Sequence, residues 1–226
     1  MSSAQIEISY VAPEEDVRVQ KLIEDGFAAV GRSVKPVTFT GRSPVRSEPE
    51  TFSDEFDVRQ CKMVLTFKSA SEDVMALKML NTLFGATPVS KLFMNVREKL
   101  SLCYYCASRL ITPKGALMVD SGVERSSIGK AKDEILRQLD EIRKGNITDE
   151  EMSSALLTLD NALTQVGDTP SSYSSWYFER FCDGRQLTPE EEFREYQGVT
   201  KARIVQAANS LALDSIYIMY DKEDKE

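Results

Sequence analysis

The clearest periodicity in the chain lies over residues 59–68, where Cys61, Met63, Leu65 and Phe67 alternate with Lys62, Val64, Thr66 and Lys68. A repeat of two sends successive side chains to opposite faces, so this segment predicts a strand with one face against a core. Helical spacing follows. Val74, Leu77, Leu80 and Phe84 form an apolar stripe behind Ser71, Glu72 and Asp73, which supply an N-cap and an acidic first turn, and Gly85 offers a left-handed stop. Ser90 caps a second predicted helix carrying Leu92, Phe93 and Val96. Residues 103–111 and 116–123 then read as strands joined through Pro113, Lys114 and Gly115, a hairpin.

Residues 6–11 alternate like a short strand, and Pro13, Glu14 and Glu15 open a helix with Val19, Ile23, Phe27 and Val30 at helical spacing. From 31 to 57 the periodicity disappears and Pro36, Gly41, Pro44 and Pro49 interrupt a polar stretch, which reads as an interdomain linker. The expected organisation is a β-α unit at 1–30, a linker at 31–57 and a larger domain at 58–226.

The second half of that domain is helical. Ile128, Ala131, Ile135, Leu139 and Ile142 make a stripe that ends at Gly145, and Thr148 with Glu151 forms a capping box for the next helix. Thr169-Pro170 and Thr188-Pro189 each place a cap beside a first-position proline, and Thr200 caps a last helix through Leu211. Alternation returns at 214–220, before a charged tail at 221–226 that is expected to fray. Strands on both sides of a long helical run predict an α+β fold, a mainly antiparallel sheet with a layer of helices on one face.

The 226 residues, 42% hydrophobic and 28% charged, suit one or two globular domains. Twenty-eight Lys and Arg against 36 Asp and Glu give a formal charge of -8, whose field repels phosphate backbones, so nucleic acid is not an expected partner. No apolar run approaches the roughly 20 residues needed to span a bilayer. Four cysteines are too few for a disulfide scaffold and point to a reducing cytoplasm. The chain has no histidine at all, which removes the commonest metal ligand and the commonest general base at neutral pH.

Little other chemistry stands out. Cys103 and Cys106 spell C-x-x-C, but on a regular strand residues three apart face opposite sides, which defeats both a disulfide and a shared metal. Glu150-Glu151 and Glu190-Glu191-Glu192 sit in first helical turns, where negative charge complements the dipole. Tyr173, Trp176, Tyr177 and Phe181 suit the apolar face of a capped helix and are expected in the core. Gly115 and Gly122 belong to no phosphate-binding motif.

Residues 80–104, LNTLFGATPVSKLFMNVREKLSLCY, resemble the pattern iLGgg..SrLf..lREk.gLaY of the pitrilysin/insulinase (processing-peptidase-like) zinc metallopeptidases, and the likeness extends over most of the chain. Members carry two similar α+β domains per half-enzyme, with His-x-x-Glu-His on a helix of the first. The resemblance here is to the second, non-catalytic domain, with residues 1–30 corresponding to the last strand and helix of the first. It implies no catalytic residue and no metal ligand in this chain, zinc being expected in a partner domain or subunit. The motif's arginine and tyrosine, seven residues apart, reach toward substrate in the family; Arg97 and Tyr104 match them and are the expected substrate-binding residues. Ser101 departs from a position that is often glycine, and Tyr105 follows Tyr104 as a second phenol.

The resemblance therefore implies a peptide-holding domain that needs a His-x-x-Glu-His partner for proteolysis and is not an enzyme on its own. Its expected partners are that zinc-bearing domain or subunit and an extended peptide, with a homodimer as a further assembly of the isolated chain. The competing reading is a scaffold without any part in cleavage. On structural grounds alone, Arg97 would be a solvent-facing arginine paired with Glu98, and Tyr104 a strand tyrosine filling the edge of the core.

Overall fold

The alternation around residue 65 becomes β2, Cys61–Ser69, in which Cys61, Met63, Leu65, Phe67 and Ser69 are buried and the residues between them are not. The computed structural model describes residues 2–35, 41–182 and 184–222. Parts of the expected linker (36–40) and tail (223–226) lie outside the described residues.

β2 is the centre of a five-stranded sheet of order β1-β5-β2-β4-β3. It pairs antiparallel with β4 (Ala116–Val123) and β5 (Leu211–Asp221), and β4 pairs antiparallel with β3 (Cys103–Ile111), which forms one edge. The other edge is β1, Glu50–Phe56, parallel to β5 from Glu50 opposite Ser215 to Phe56 opposite Asp221. This strand falls in the stretch expected as linker. All its residues are exposed, so no burial alternation marks it in the sequence; pairing with β5 makes it a strand.

The inner face of the sheet adds Leu117, Val119, Val123, Ile216 and Ile218 to the β2 residues. Helices α2 (Val74–Phe84), α3 (Ile128–Arg143) and α7 (Lys201–Asn209) pack together over this face, with Leu77, Leu80, Phe84, Ile135, Leu139, Ile142 and Ile204 fully or almost fully buried. Thr200 caps α7, and Thr148 and Glu151 exchange hydrogen bonds at the start of α4 (Asp149–Thr164), as the sequence predicts. On α2 Asp73 is itself the cap and no acid stands in the first turn, and Ser90 Oγ donates to Thr87 O in place of capping the next helix. Among the described residues no helix is long and apolar enough to cross a membrane.

Gly85 ends α2 with φ -156°, not in the left-handed region. Its requirement is space. A Cβ there would stand 2.8 Å from the Ser108 backbone nitrogen and 2.7 Å from Ser108 Oγ, because Ser108 N donates to Gly85 O across this contact.

Three further differences have physical causes. Residues 6–11 form no strand, having no neighbouring strand to pair with, and α1 (Val17–Ala28) buries none of its residues. On α5 (Pro170–Cys182) only Trp176 and Arg180 are buried; Tyr173, Tyr177 and Phe181 are exposed, because the helix meets its neighbours along a single stripe. Glu192, on α6 (Pro189–Gln197), is no solvated first-turn acid. It is completely buried, its Oε2 accepting from Arg180 Nε at 2.5 Å and its Oε1 accepting from Lys78 Nζ and the Tyr196 hydroxyl, each at 2.8 Å.

Two predictions follow from this packing. Gly85→Ala should destabilise the fold by about 1–3 kcal/mol in urea unfolding, since the clash is with backbone. Burial alone would raise the Glu192 carboxyl, but Arg180 and Lys78 outweigh it and hold it at about 2, below its ordinary 4.5. The stabilisation is thus complete above pH 4.5 and is lost as pH falls toward 2. Glu192→Gln should cost about 3 kcal/mol near neutrality, and unfolding measured down the pH scale should show the gap to wild type closing below pH 4.5.

Candidate functional site

The motif that carries Arg97 and Tyr104 is built from three consecutive departures from regular backbone. Residues Phe93–Lys99 form a π-helix, Ser101 takes φ 49°, and β3 opens with a bulge in which Cys103 pairs with Val123 and Tyr105 with Gly122, leaving Tyr104 as the extra residue. Each device re-aims side chains and such devices concentrate at functional sites. Glycine is the residue least strained at φ 49°, so the serine occupies a conformation that suits the family's usual residue better.

The π-helix is held at its entry and along its middle. Lys91 Nζ meets Glu151 Oε1 at 2.7 Å, fastening its entry to the capping box of α4, and Val96 is fully buried. Asn95 Nδ2 donates to Gln138 on α3 at 3.2 Å. Arg97 is left on the outer side, its guanidinium 4.7 Å from the Phe93 ring centroid and its Nε 3.6 Å from Glu98.

The bulge separates the two phenols. Tyr104 is 60% exposed and its hydroxyl donates to Glu124 Oε1 at 3.2 Å, a hydrogen bond that holds the phenol above its usual acidity range. Tyr105 instead lies flat over Gly122, where a Cβ would come within 2.6 Å of its ring, and donates to Asp120 Oδ1 at 3.0 Å. Burial and Asp120 push its phenol up to about 12.

Arg97 and Tyr104 line the same open groove of about 450 Å³, with Glu98, Ser101, Cys103 and Glu124. Tyr104 is therefore the groove's phenol and Tyr105 is a packing residue. The expectation for Arg97 as a surface arginine near Glu98 also holds as geometry, whereas Tyr104 does not fill the core edge.

The same bulge changes the premise, though not the outcome, of the reading of the C-x-x-C pair. One extra residue puts Cys103 on the same side of the sheet as buried Cys106, yet both thiols stay free. The neighbouring Cys106 thiol, and after it the Arg97 charge, hold the Cys103 thiol below its ordinary range. No disulfide links them. Strand periodicity alone cannot reveal such a shift, because it assumes the regular pairing that a bulge breaks.

There is no histidine, and among the described residues no group of three or more His, Cys, Asp and Glu side chains converges on a metal-sized site. The groove offers one guanidinium, one phenol and two carboxylates.

The model of the family described as the peptidase M16 inactive domain matches residues 1–159. The probable inactive metalloprotease YmfF of Bacillus subtilis (strain 168) is 28% identical over 223 residues, covering 97% of this chain and 52% of the relative. A conserved protein from Enterococcus faecalis V583 superposes with a TM-score of 0.85 at 24% identity, over 94% of this chain and 51% of that one. A peptidase M16 inactive domain from Pseudomonas fluorescens superposes at 0.73 and 17% identity, over 92% and 52%. The chain spans about half the length of the curated relative it matches.

The left-handed residue gives a direct test of the groove's backbone. Ser101→Val should lower stability by about 1–2 kcal/mol, because a β-branched side chain is strained at positive φ, while Ser101→Gly should be tolerated; thermal midpoints of the two variants check the order.

Proposed function

The chain belongs to the peptidase M16 inactive-domain family, and on that premise we propose that it is the peptide-holding, metal-free side of a divided peptidase. In this reading a His-x-x-Glu-His partner domain or subunit supplies the zinc and the hydrolytic water. Arg97 and Tyr104 of this chain face the extended peptide between the two.

The observation that carries the reading is the convergence of Arg97 and Tyr104 on one groove through a π-helix, a left-handed serine and a bulge. A surface arginine and a strand tyrosine without a ligand need none of these. The guanidinium can donate a pair of parallel hydrogen bonds to a peptide carbonyl or carboxylate, and the phenol can donate to an oxygen on which negative charge develops. Glu124 accepts a hydrogen bond from the Tyr104 hydroxyl, so a substrate oxygen takes over an existing donor.

The N-terminal segment fits the same proposal. Val17 and Leu22 are 65% and 71% exposed on a helix that buries nothing, which suits a segment whose apolar side chains pack on another domain.

The test is kinetic. In a complex reconstituted from the chain and its zinc-bearing partner, Arg97→Ala and Tyr104→Phe should each lower kcat/KM for a fluorogenic peptide by about tenfold or more. Zinc content and complex assembly should stay unchanged. A scaffold that has left proteolysis behind predicts wild-type kcat/KM in both variants, and that outcome would remove the proposed role.

A further inference from the structure

The outer edge of a sheet carries unpaired backbone donors and acceptors, which native proteins normally cover or blunt. β1 is such an edge: it pairs with β5 alone, and every residue from Glu50 to Phe56 is exposed. It lies at the opposite side of the sheet from β3, about 19 Å away at the usual strand spacing, so it shares nothing with the Arg97 groove.

The register decides which backbone groups are free. In a parallel ladder the N–H and C=O of one residue point to the same side, and the side alternates along the strand. Lys222 N donates to Phe56 O at the end of the ladder, so Phe56, and by alternation Asp54, Phe52 and Glu50, direct their backbone groups at β5. Thr51, Ser53 and Glu55 therefore turn theirs outward.

The side chains add two properties. Phe52 stands opposite Tyr217, which stands opposite Val64, a row on the sheet face away from α2, α3 and α7. Phe56 shares that face, and the two phenylalanines are 45% and 47% exposed. Residues 48–57 also hold five acids, Glu48, Glu50, Asp54, Glu55 and Asp57, and no basic residue. Arg46 pairs with Glu50, and the Tyr217 hydroxyl donates to Asp54 Oδ2 at 3.2 Å, whereas Glu55 and Asp57 form no ion pair among the described residues.

Charge that only kept like edges apart would account for the acids, but two exposed phenylalanines on the same strand work against that purpose. Pairing of two copies along β1 would set two acidic strands about 5 Å apart, where like charges repel. A strand of opposite charge meets no such penalty.

We propose that the outer edge of β1 is a docking site for an extended basic segment of a partner protein, added to the sheet as a further strand. Its backbone pairs with Thr51, Ser53 and Glu55, and its lysines or arginines meet Asp54, Glu55 and Asp57. Apolar side chains at alternate positions of the same segment pack on Phe52 and Phe56. The excess of acid over the whole chain, 36 against 28 basic residues, favours the same encounter. This site goes beyond the peptide-holding role of the Arg97 groove and does not rest on it.

The purified chain is titrated calorimetrically with two capped peptides of equal charge, Ac-Lys-Val-Lys-Val-Lys-Val-Lys-NH2 and Ac-Lys-Pro-Lys-Pro-Lys-Pro-Lys-NH2, of which only the first can pair as a strand. The first should bind saturably below about 1 mM, and the second about tenfold more weakly or not at all. Amide exchange followed by NMR should slow at Thr51, Ser53 and Glu55 and stay unchanged at Phe52 and Asp54. Ser53→Pro removes one outward N–H without touching the β5 ladder, so it should weaken binding by about tenfold with little change in thermal midpoint. Glu55→Lys, at an exposed position, should weaken it by about threefold or more, and added salt should act in the same direction. The proposal fails if the two peptides bind alike, if folded Ser53→Pro or Glu55→Lys binds as wild type does, or if the valine peptide gives no binding heat. A chain that sediments as a dimer and becomes monomeric on Ser53→Pro has its edge taken by a second copy, and that result also overturns it.

Discussion

The structure depends on the burial of one face of β2. Cys61, Met63, Leu65 and Phe67 are almost completely removed from water, and no neighbouring strand can do that; only helices laid across the sheet can. That requirement places α2, α3 and α7 on one side and leaves the other side open. It puts the strands paired on both sides in the middle, with one slip where Asp214 of β5 is extra opposite the Thr66–Phe67 step of β2. The edges answer to one neighbour only and can depart from regularity more freely. β1 is an edge strand with no buried residue, and β3 is an edge strand that begins in a bulge.

The candidate groove follows from that freedom. Its entrance helix is tied down through buried Val96 and the Lys91–Glu151 contact, so the irregular turns beyond it hold a definite geometry. Ser101 and the bulge then set Tyr104 beside Arg97 and send Tyr105 to the opposite face, over Gly122. What the groove can do is bounded by what it contains. It contains a guanidinium, a phenol and two carboxylates, and a chain without histidine has no imidazole to offer a metal ion.

Charge was the least legible property in the linear chain. Glu192 occurs in a run of three acids at a helix start, which in isolation belongs to the helix dipole. Glu191 behaves so, closing a capping box with Thr188, while the next residue points inward and meets cations from α2 and α5. Those partners are 114 and 12 residues away in sequence, and no local pattern announces them. The aromatic residues of α5 show the reverse case, an apolar stripe that suggests burial and a helix that meets the layer through only Trp176 and Arg180.

By itself the sequence determined the alternation of β2, the β3–β4 hairpin, the capped helices, the α+β class, the absence of a histidine-based centre and the family motif bearing Arg97 and Tyr104. These are short-range properties, set by side-chain periodicity, capping chemistry and composition, and they survive in any arrangement of the elements. The tertiary structure decided the rest: that residues 50–56 are a strand because β5 offers a parallel edge, that Cys103 and Cys106 share a side because one residue bulges, that Tyr104 and not Tyr105 joins Arg97, and that Glu192 is buried between two cations. Each of these depends on what lies opposite a residue in space, and pairing between distant segments is not encoded in the local period of either one.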